Sequence, residues 1–182
     1  MYVHFLGEPD DGIRPSSQLA RALATLGVRS AFGDAPSWRS KRWREICRHA
    51  DVIHVTAYCV RDQGLLRRLW LAKAKGVVLV RTWMGSDVLW ALHHPRSMTF
   101  ARRLQDLGVK QLAVADHLID ELASIGVQAE FVPIVAPQVV TGEAEIPPFP
   151  DRFTILCYLP ARRRIFYGGP IVDDLMARTD SR

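Results

Sequence analysis

The chain is short of cysteine, with Cys47, Cys59 and Cys157 its only three in 182 residues. Their odd number and wide spacing exclude a disulfide scaffold and a cysteine-rich zinc site, and fit a reducing compartment. No stretch of apolar residues reaches the length of a membrane span. The opening residues, Met1 to Gly7, lack a basic leader followed by a long apolar run and a small-residue cleavage site, so no secretion signal is expected and the expected location is cytoplasmic. The spacing of glycines that marks a dinucleotide fingerprint is missing. So are a nucleophile elbow, an acidic phosphatase signature and any convincing pair of acidic residues for a metal, and no metal site is expected.

What is present is a modest basic balance of +5 and a hydrophobic fraction of 48%. That is enough apolar material for one packed domain and short of two complete ones. Arginine dominates the positive charge, and its planar fork suits phosphate or carboxylate ligands, including lipid headgroups; solvated helix faces account for many arginines equally well. No recognition motif accompanies the charge, so nucleic acid is not an expected partner.

Short apolar runs alternate with longer amphipathic ones. The pattern predicts strands at 2–7, 28–32, 51–56, 77–82, 110–115, 129–133 and 153–159. It predicts helices at 16–26, 38–49, 61–74, 96–107, 116–125 and 169–178. Val52–Val55 and Val77–Val80 are too continuously apolar for a half-exposed sheet and suit strands covered by helices on both faces. In the first helix, Pro15 and Ser16 supply a start, Leu19, Leu23 and Leu26 an inward stripe, and Gly27 a stop. Leucines followed by Gly108 and by Gly126 repeat the same grammar. The expected fold is therefore α/β: a Rossmann-like three-layer αβα domain with a mostly parallel sheet over 1–134. A proline-rich linker or crossover follows at 135–152, then a terminal βα unit at 153–182, which either joins the first sheet or begins an incomplete second domain.

Several segments in this order resemble the GT-B glycosyltransferases, the retaining nucleotide-sugar-dependent enzymes built from two Rossmann-like domains. The resemblance rests on the opening strand, glycine-bearing loop and leucine helix at 2–27, on Asp51 to Val55, and on Val80-Arg-Thr-Trp-Met-Gly-Ser-Asp-Val88. It continues through Leu112 to Leu122, Phe131-Val-Pro-Ile134 and residues 153–169. It implies the amino-terminal, acceptor-binding half of a GT-B fold plus the start of the donor half. The implied activity is transfer of a sugar from a nucleotide-sugar to an acceptor hydroxyl, with the isolated chain inactive for want of the rest of the donor half. The implied partners are a nucleotide-sugar cosubstrate, a sugar, lipid or small-molecule acceptor, and a missing carboxyl-terminal domain. No cofactor is implied, and peripheral contact with the inner face of a membrane is compatible with the resemblance. The alternative is a non-catalytic Rossmann-like ligand-binding or structural domain.

The candidate site residues fall into two groups. On the acceptor side, Gly85 permits a tight turn, and Ser86 and Asp87 either line a ligand or cap the turn that follows. His54 ends its strand as either a satisfied structural histidine or a group facing the cleft. Asp116 and His117 open a helix, the first as a cap. Many GT-B relatives carry histidine just before the glycine, where this chain has Met84. On the donor side, Gly12 lies in a loop whose backbone N–H groups can receive an anion. Arg162, Arg163 and Arg164 form a basic patch that either holds donor diphosphate or is an exposed loop, with Tyr167 and Gly168 beside it. Trp38, Trp43 and Trp70 are expected to cover the sheet with partly exposed indoles. Exposed apolar surface near Trp83, Trp90 and Phe100 would point to a lipid acceptor or a protein interface.

Overall fold

The computed structural model describes residues 1–7, 15–33, 36, 39–56, 63–133 and 169–179. The expected linker at 135–152 and strand at 153–159 lie outside them. Six strands run in order β1 (Tyr2–Leu6), β2 (Arg29–Gly33), β3 (Val52–Val55), β4 (Val78–Trp83), β5 (Lys110–Ala113) and β6 (Glu130–Phe131). The helices are α1 (Pro15–Thr25), α2 (Lys41–His49), α3 (Gln63–Lys73), α4 (Ser86–His93), α5 (Pro95–Asp106), α6 (Asp116–Ser124) and α7 (Gly169–Thr179). The sheet order is β2-β1-β3-β4-β5-β6, and every pairing is parallel. It is the α/β, Rossmann-like three-layer arrangement anticipated from the alternation of runs. By contact density the chain divides into Met1–Ala144 and Glu145–Arg182.

Alternation along the strands separates the layers. Val3 and Phe5 of β1 face one way and pack with Ala20, Leu19 and Leu23 of α1. Leu6, Ile53, Val55 and Leu79 face the other way, against Trp43 and Ile46 of α2, Leu65 and Leu69 of α3, and Phe100 and Leu104 of α5. Trp83 and Ala113 extend that face under Val88 and Ala91 of α4 and Leu118 and Leu122 of α6. A parallel sheet needs cover on both faces, which is why its strands read as unbroken apolar runs.

Four helices end in one way, and the sequence states it each time as Gly-Val. The N–H groups of Gly27 and Val28 bond to Ala24 and Leu23, those of Gly76 and Val77 to Lys73 and Ala72, those of Gly108 and Val109 to Gln105 and Leu104, and those of Gly126 and Val127 to Ala123 and Leu122. This is the Schellman arrangement, with a glycine at positive φ closing the helix and an apolar residue beyond it packing back on the last turn. The valine then leads into the next strand, so one dipeptide both stops a helix and sets the entry to the sheet. Leu26, placed by its spacing in the inward stripe of α1, is 75% exposed because it lies past the last helical residue.

Two expectations about elements need correcting. Residues 86–93, to which the pattern assigned no element, form a helix of their own, α4; His94 separates it from α5, with Pro95 at the first position of the new helix. Strand β6 is two residues long and not five. In the second unit α7 carries an Asp174–Arg178 ion pair at 2.8 Å, with Ile171, Leu175 and Met176 exposed. Among the described residues no helix is long and apolar enough to cross a membrane.

Candidate functional site at the carboxyl edge of the sheet

Strand β1 lies between β2 and β3, so the chain leaves it toward one side of the sheet and returns on the other. Open α/β sheets take their ligands at such a reversal, outside the carboxyl ends of the strands, which here are β1 and β3. Gly7, at φ 97°, continues β1 by donating its N–H to Gly33 at 3.1 Å. Thr56 closes β3 by bonding through N–H (3.1 Å) and hydroxyl (2.7 Å) to the Leu6 carbonyl. Residues 8–14, including Gly12, and 57–62 lie outside the described residues.

The next wall of the edge is the turn from β4 into α4, and it is braced from below. Arg81 and Trp83 project to the helical face at alternate positions of β4, both fully buried. The Arg81 guanidinium meets Asp87 Oδ2 at 3.0 Å and lies 3.9 Å from the centroid of the Trp83 ring. The Trp83 indole N–H donates to Gln111 Oε1 on β5 at 2.8 Å. Asp87 turns its other oxygen, Oδ1, upward, where it accepts from the backbone N–H groups of Met84 (2.9 Å), Gly85 (3.1 Å) and Val88 (3.1 Å). A carboxylate that gathers three N–H groups and a guanidinium fixes the path of the turn. Gly85, at φ 111° and ψ −65°, is the N-cap of α4, a conformation that a side chain disfavours.

Each candidate then has a place. Asp87 is 4% exposed and its carboxylate is engaged within the turn, so it positions Gly85 and Ser86 from beneath. Ser86 is exposed at the first position of α4. His54 is 6% exposed, stacks obliquely on Phe5 with centroids 5.0 Å apart, and shares a 2.8 Å hydrogen bond with Thr82 Oγ1. Burial, helped by the nearby positive charge of Arg81, lowers its pKa from 6.5 to about 4, so the imidazole is neutral at neutral pH. Asp116 and His117 are exposed at the start of α6, beyond the end of β5. The N-cap there is Ala115, and Asp116 occupies the first helical position instead of the cap, where its charge suits the helix N-terminus.

The fold thus brings Gly85, Ser86, Asp116 and His117 to adjacent strand ends on one edge, with His54 and Asp87 beneath the surface. Arg162, Arg163, Arg164, Tyr167 and Gly168 lie outside the described residues. Compared with models of protein families and with curated proteins, the chain matches none. Among the described residues no three His, Cys, Asp or Glu side chains are grouped to hold a metal ion.

Arg81 is the residue that reading the sequence overlooked. Its signal was an arginine inside the largely apolar Val78 to Trp83, six positions before an aspartate, a spacing that lets a strand residue meet the first turn of the next helix. The tryptophans divide. Trp43 is 2% exposed and Trp83 and Phe100 belong to the core, whereas Trp70 and Trp90 are 58% and 44% exposed. Trp90 stacks on His94, with ring centroids 4.0 Å apart. Trp38 lies outside the described residues.

Proposed function

We propose that this chain is the acceptor side of a nucleotide-sugar glycosyltransferase, with the carboxyl edge of the sheet receiving the acceptor hydroxyl. The observation that supports this reading is the Met84-Gly85-Ser86 turn, held by the buried Arg81–Asp87 pair beside the β1/β3 reversal. A site on a pre-set turn loses little conformational freedom when it binds, which favours the alignment that glycosyl transfer demands. In the proposal Ser86 exchanges hydrogen bonds with the acceptor, and His117 and Asp116 form the neighbouring polar wall. Gly12, Arg162, Arg163, Arg164, Tyr167 and Gly168, all outside the described residues, are the donor-side candidates that the GT-B resemblance implies. In the reaction the bond between the anomeric carbon and the diphosphate oxygen breaks, the acceptor oxygen bonds to that carbon, and the acceptor proton passes to the departing diphosphate oxygen. Arginine side chains and helix N–H groups offset the charge that develops on the departing diphosphate.

A second reading, a non-catalytic Rossmann-like binding domain, is favoured by one observation: His54 and Asp87, two candidates suited to moving a proton, are both buried and engaged with neighbours inside the fold. Ligand-observed NMR of the full chain with UDP-, GDP- and ADP-sugars tests the first reading, with Arg162→Ala/Arg163→Ala/Arg164→Ala as comparison. Saturation transfer to one nucleotide class that disappears in the triple variant is the expected result. No transfer from any donor, with binding of sugars or other small ligands at Ser86, would leave the second reading standing.

A further inference from the structure

The positive charge of the helical layer is unevenly spread. Helix α2 has Lys41, Arg42, Arg44 and Arg48 against Glu45 alone, α3 has Arg67, Arg68 and Lys73 and no acid, and α5 has Arg96, Arg102 and Arg103 against Asp106. Helix α6, in the same layer, has Asp116, Asp120 and Glu121 and no Lys or Arg. The apolar sides of α2, α3 and α5 share one core. Most of their cations lie on the outer side: Lys41, Arg44, Arg48, Arg67, Arg96 and Arg103 are exposed, while Arg68 is buried.

Apolar surface is interleaved with this charge. Helices α3 and α5 both return from the carboxyl edge of the sheet to its amino edge, so they run side by side in the same direction. Between them opens a cavity of about 210 Å³, lined by Leu66, Pro95 and Phe100 and by Arg96, Thr99 and Arg103. Trp70, one turn beyond Leu66 on α3, is 58% exposed.

We propose that the outer face of α2, α3 and α5 docks on an anionic lipid bilayer, with Trp70 at the level of the headgroups and Arg96 and Arg103 on lipid phosphates. A tryptophan combines an apolar ring with a polar N–H and settles at a membrane interface, while arginine forks grip phosphate in pairs. A polyanion such as a nucleic acid would use the cations and leave the apolar groove without a role. Acidic α6 bounds the face on one side and is repelled by the same surface, which sets which edge of the layer lies closest to the lipid. The face is separate from the carboxyl edge, so its failure as a docking surface would not touch the ligand site, nor the reverse.

Vesicle flotation of the full chain tests this, with phosphatidylcholine alone set against phosphatidylcholine mixed with phosphatidylglycerol. Binding to the mixed vesicles only, and its loss in high salt, is expected. Arg96→Ala/Arg103→Ala should weaken partitioning roughly 25-fold, from the contribution of each basic residue near an anionic surface. Trp70→Ala should weaken it several-fold, and Arg21→Ala on α1 should leave it unchanged. All these side chains are exposed, and matching circular dichroism spectra verify that each variant keeps its fold. No flotation, equal flotation on neutral vesicles, an equal effect of Arg21→Ala, or displacement from vesicles by a single-stranded RNA oligonucleotide that binds more tightly would each overturn the proposal.

Discussion

Replacing Asp87 with alanine removes one partner of an ion pair whose side chains are 0% and 3% exposed. Loss of one partner from such a pair leaves the other charge buried, which costs about 3–5 kcal/mol. Arg81 keeps its contact with the Trp83 ring, which places the expected cost near the lower end, about 3 kcal/mol. Against a typical total stability of about 5–15 kcal/mol, that loss should lower the midpoint of thermal unfolding by roughly 10 °C. Asp87→Asn keeps an oxygen for the N–H groups of Met84, Gly85 and Val88 and drops only the charge, so it should cost less, about 2 kcal/mol. Urea unfolding of the two variants, of Arg81→Met and of Arg81→Met/Asp87→Asn completes the comparison. The double variant should be less destabilised than the sum of its single changes, because removing both charges leaves neither stranded. A cost below about 1 kcal/mol for Asp87→Ala, or strict additivity in the cycle, would refute the bracing role.

Stability should fall in acid in a way that His54 explains. Its imidazole takes a proton below pH 6.5 in the unfolded chain and only near pH 4 in the folded one, so its contribution is intact above 6.5 and is lost as the pH falls toward 4. The loss from this group is about 3 kcal/mol between pH 7 and pH 4. His4 shifts in the same direction, by burial and by Arg42, so the contrast of wild type with His54→Gln, whose stability profile should be flatter over this range, isolates His54. Gly85→Ala meets no neighbour within 4 Å but forces a side chain onto φ 111°, so unfolding measurements should show a loss of about 1–2 kcal/mol. Leu104→Ala, at a fully buried position between α5 and the sheet, should cost about 2–5 kcal/mol in the same assay.

The layers were legible in the sequence because the central strands carry apolar runs and four helices close on a glycine before a valine, as at Gly108-Val109. Such signals act over a few residues and do not depend on the rest of the fold. Helix α4 was not legible. Gly85-Ser86-Asp87 has the composition of a turn, and what makes it a helix start is a carboxylate satisfied from beneath by Arg81, a contact made only once β4 and α4 are in place. The same tertiary contact decided between lining a ligand and bracing a turn for Asp87. His54 was equally undecidable from its strand, because its partner Thr82 lies 28 positions away on the neighbouring one. Trp83 is buried and Trp90 exposed; the difference is a strand position facing the helices against a helix surface.

Residue-resolved NMR titration of the isotope-labelled chain with nucleotide-sugars and with simple sugar acceptors tests most directly whether the carboxyl edge is a ligand site. Amide shifts gathered at Gly7, Thr56, Gly85, Ser86 and His117, saturating with ligand and absent in a Ser86→Trp variant, are the expected result. Shifts scattered over the helical faces, or none at these five residues with any ligand, would contradict it.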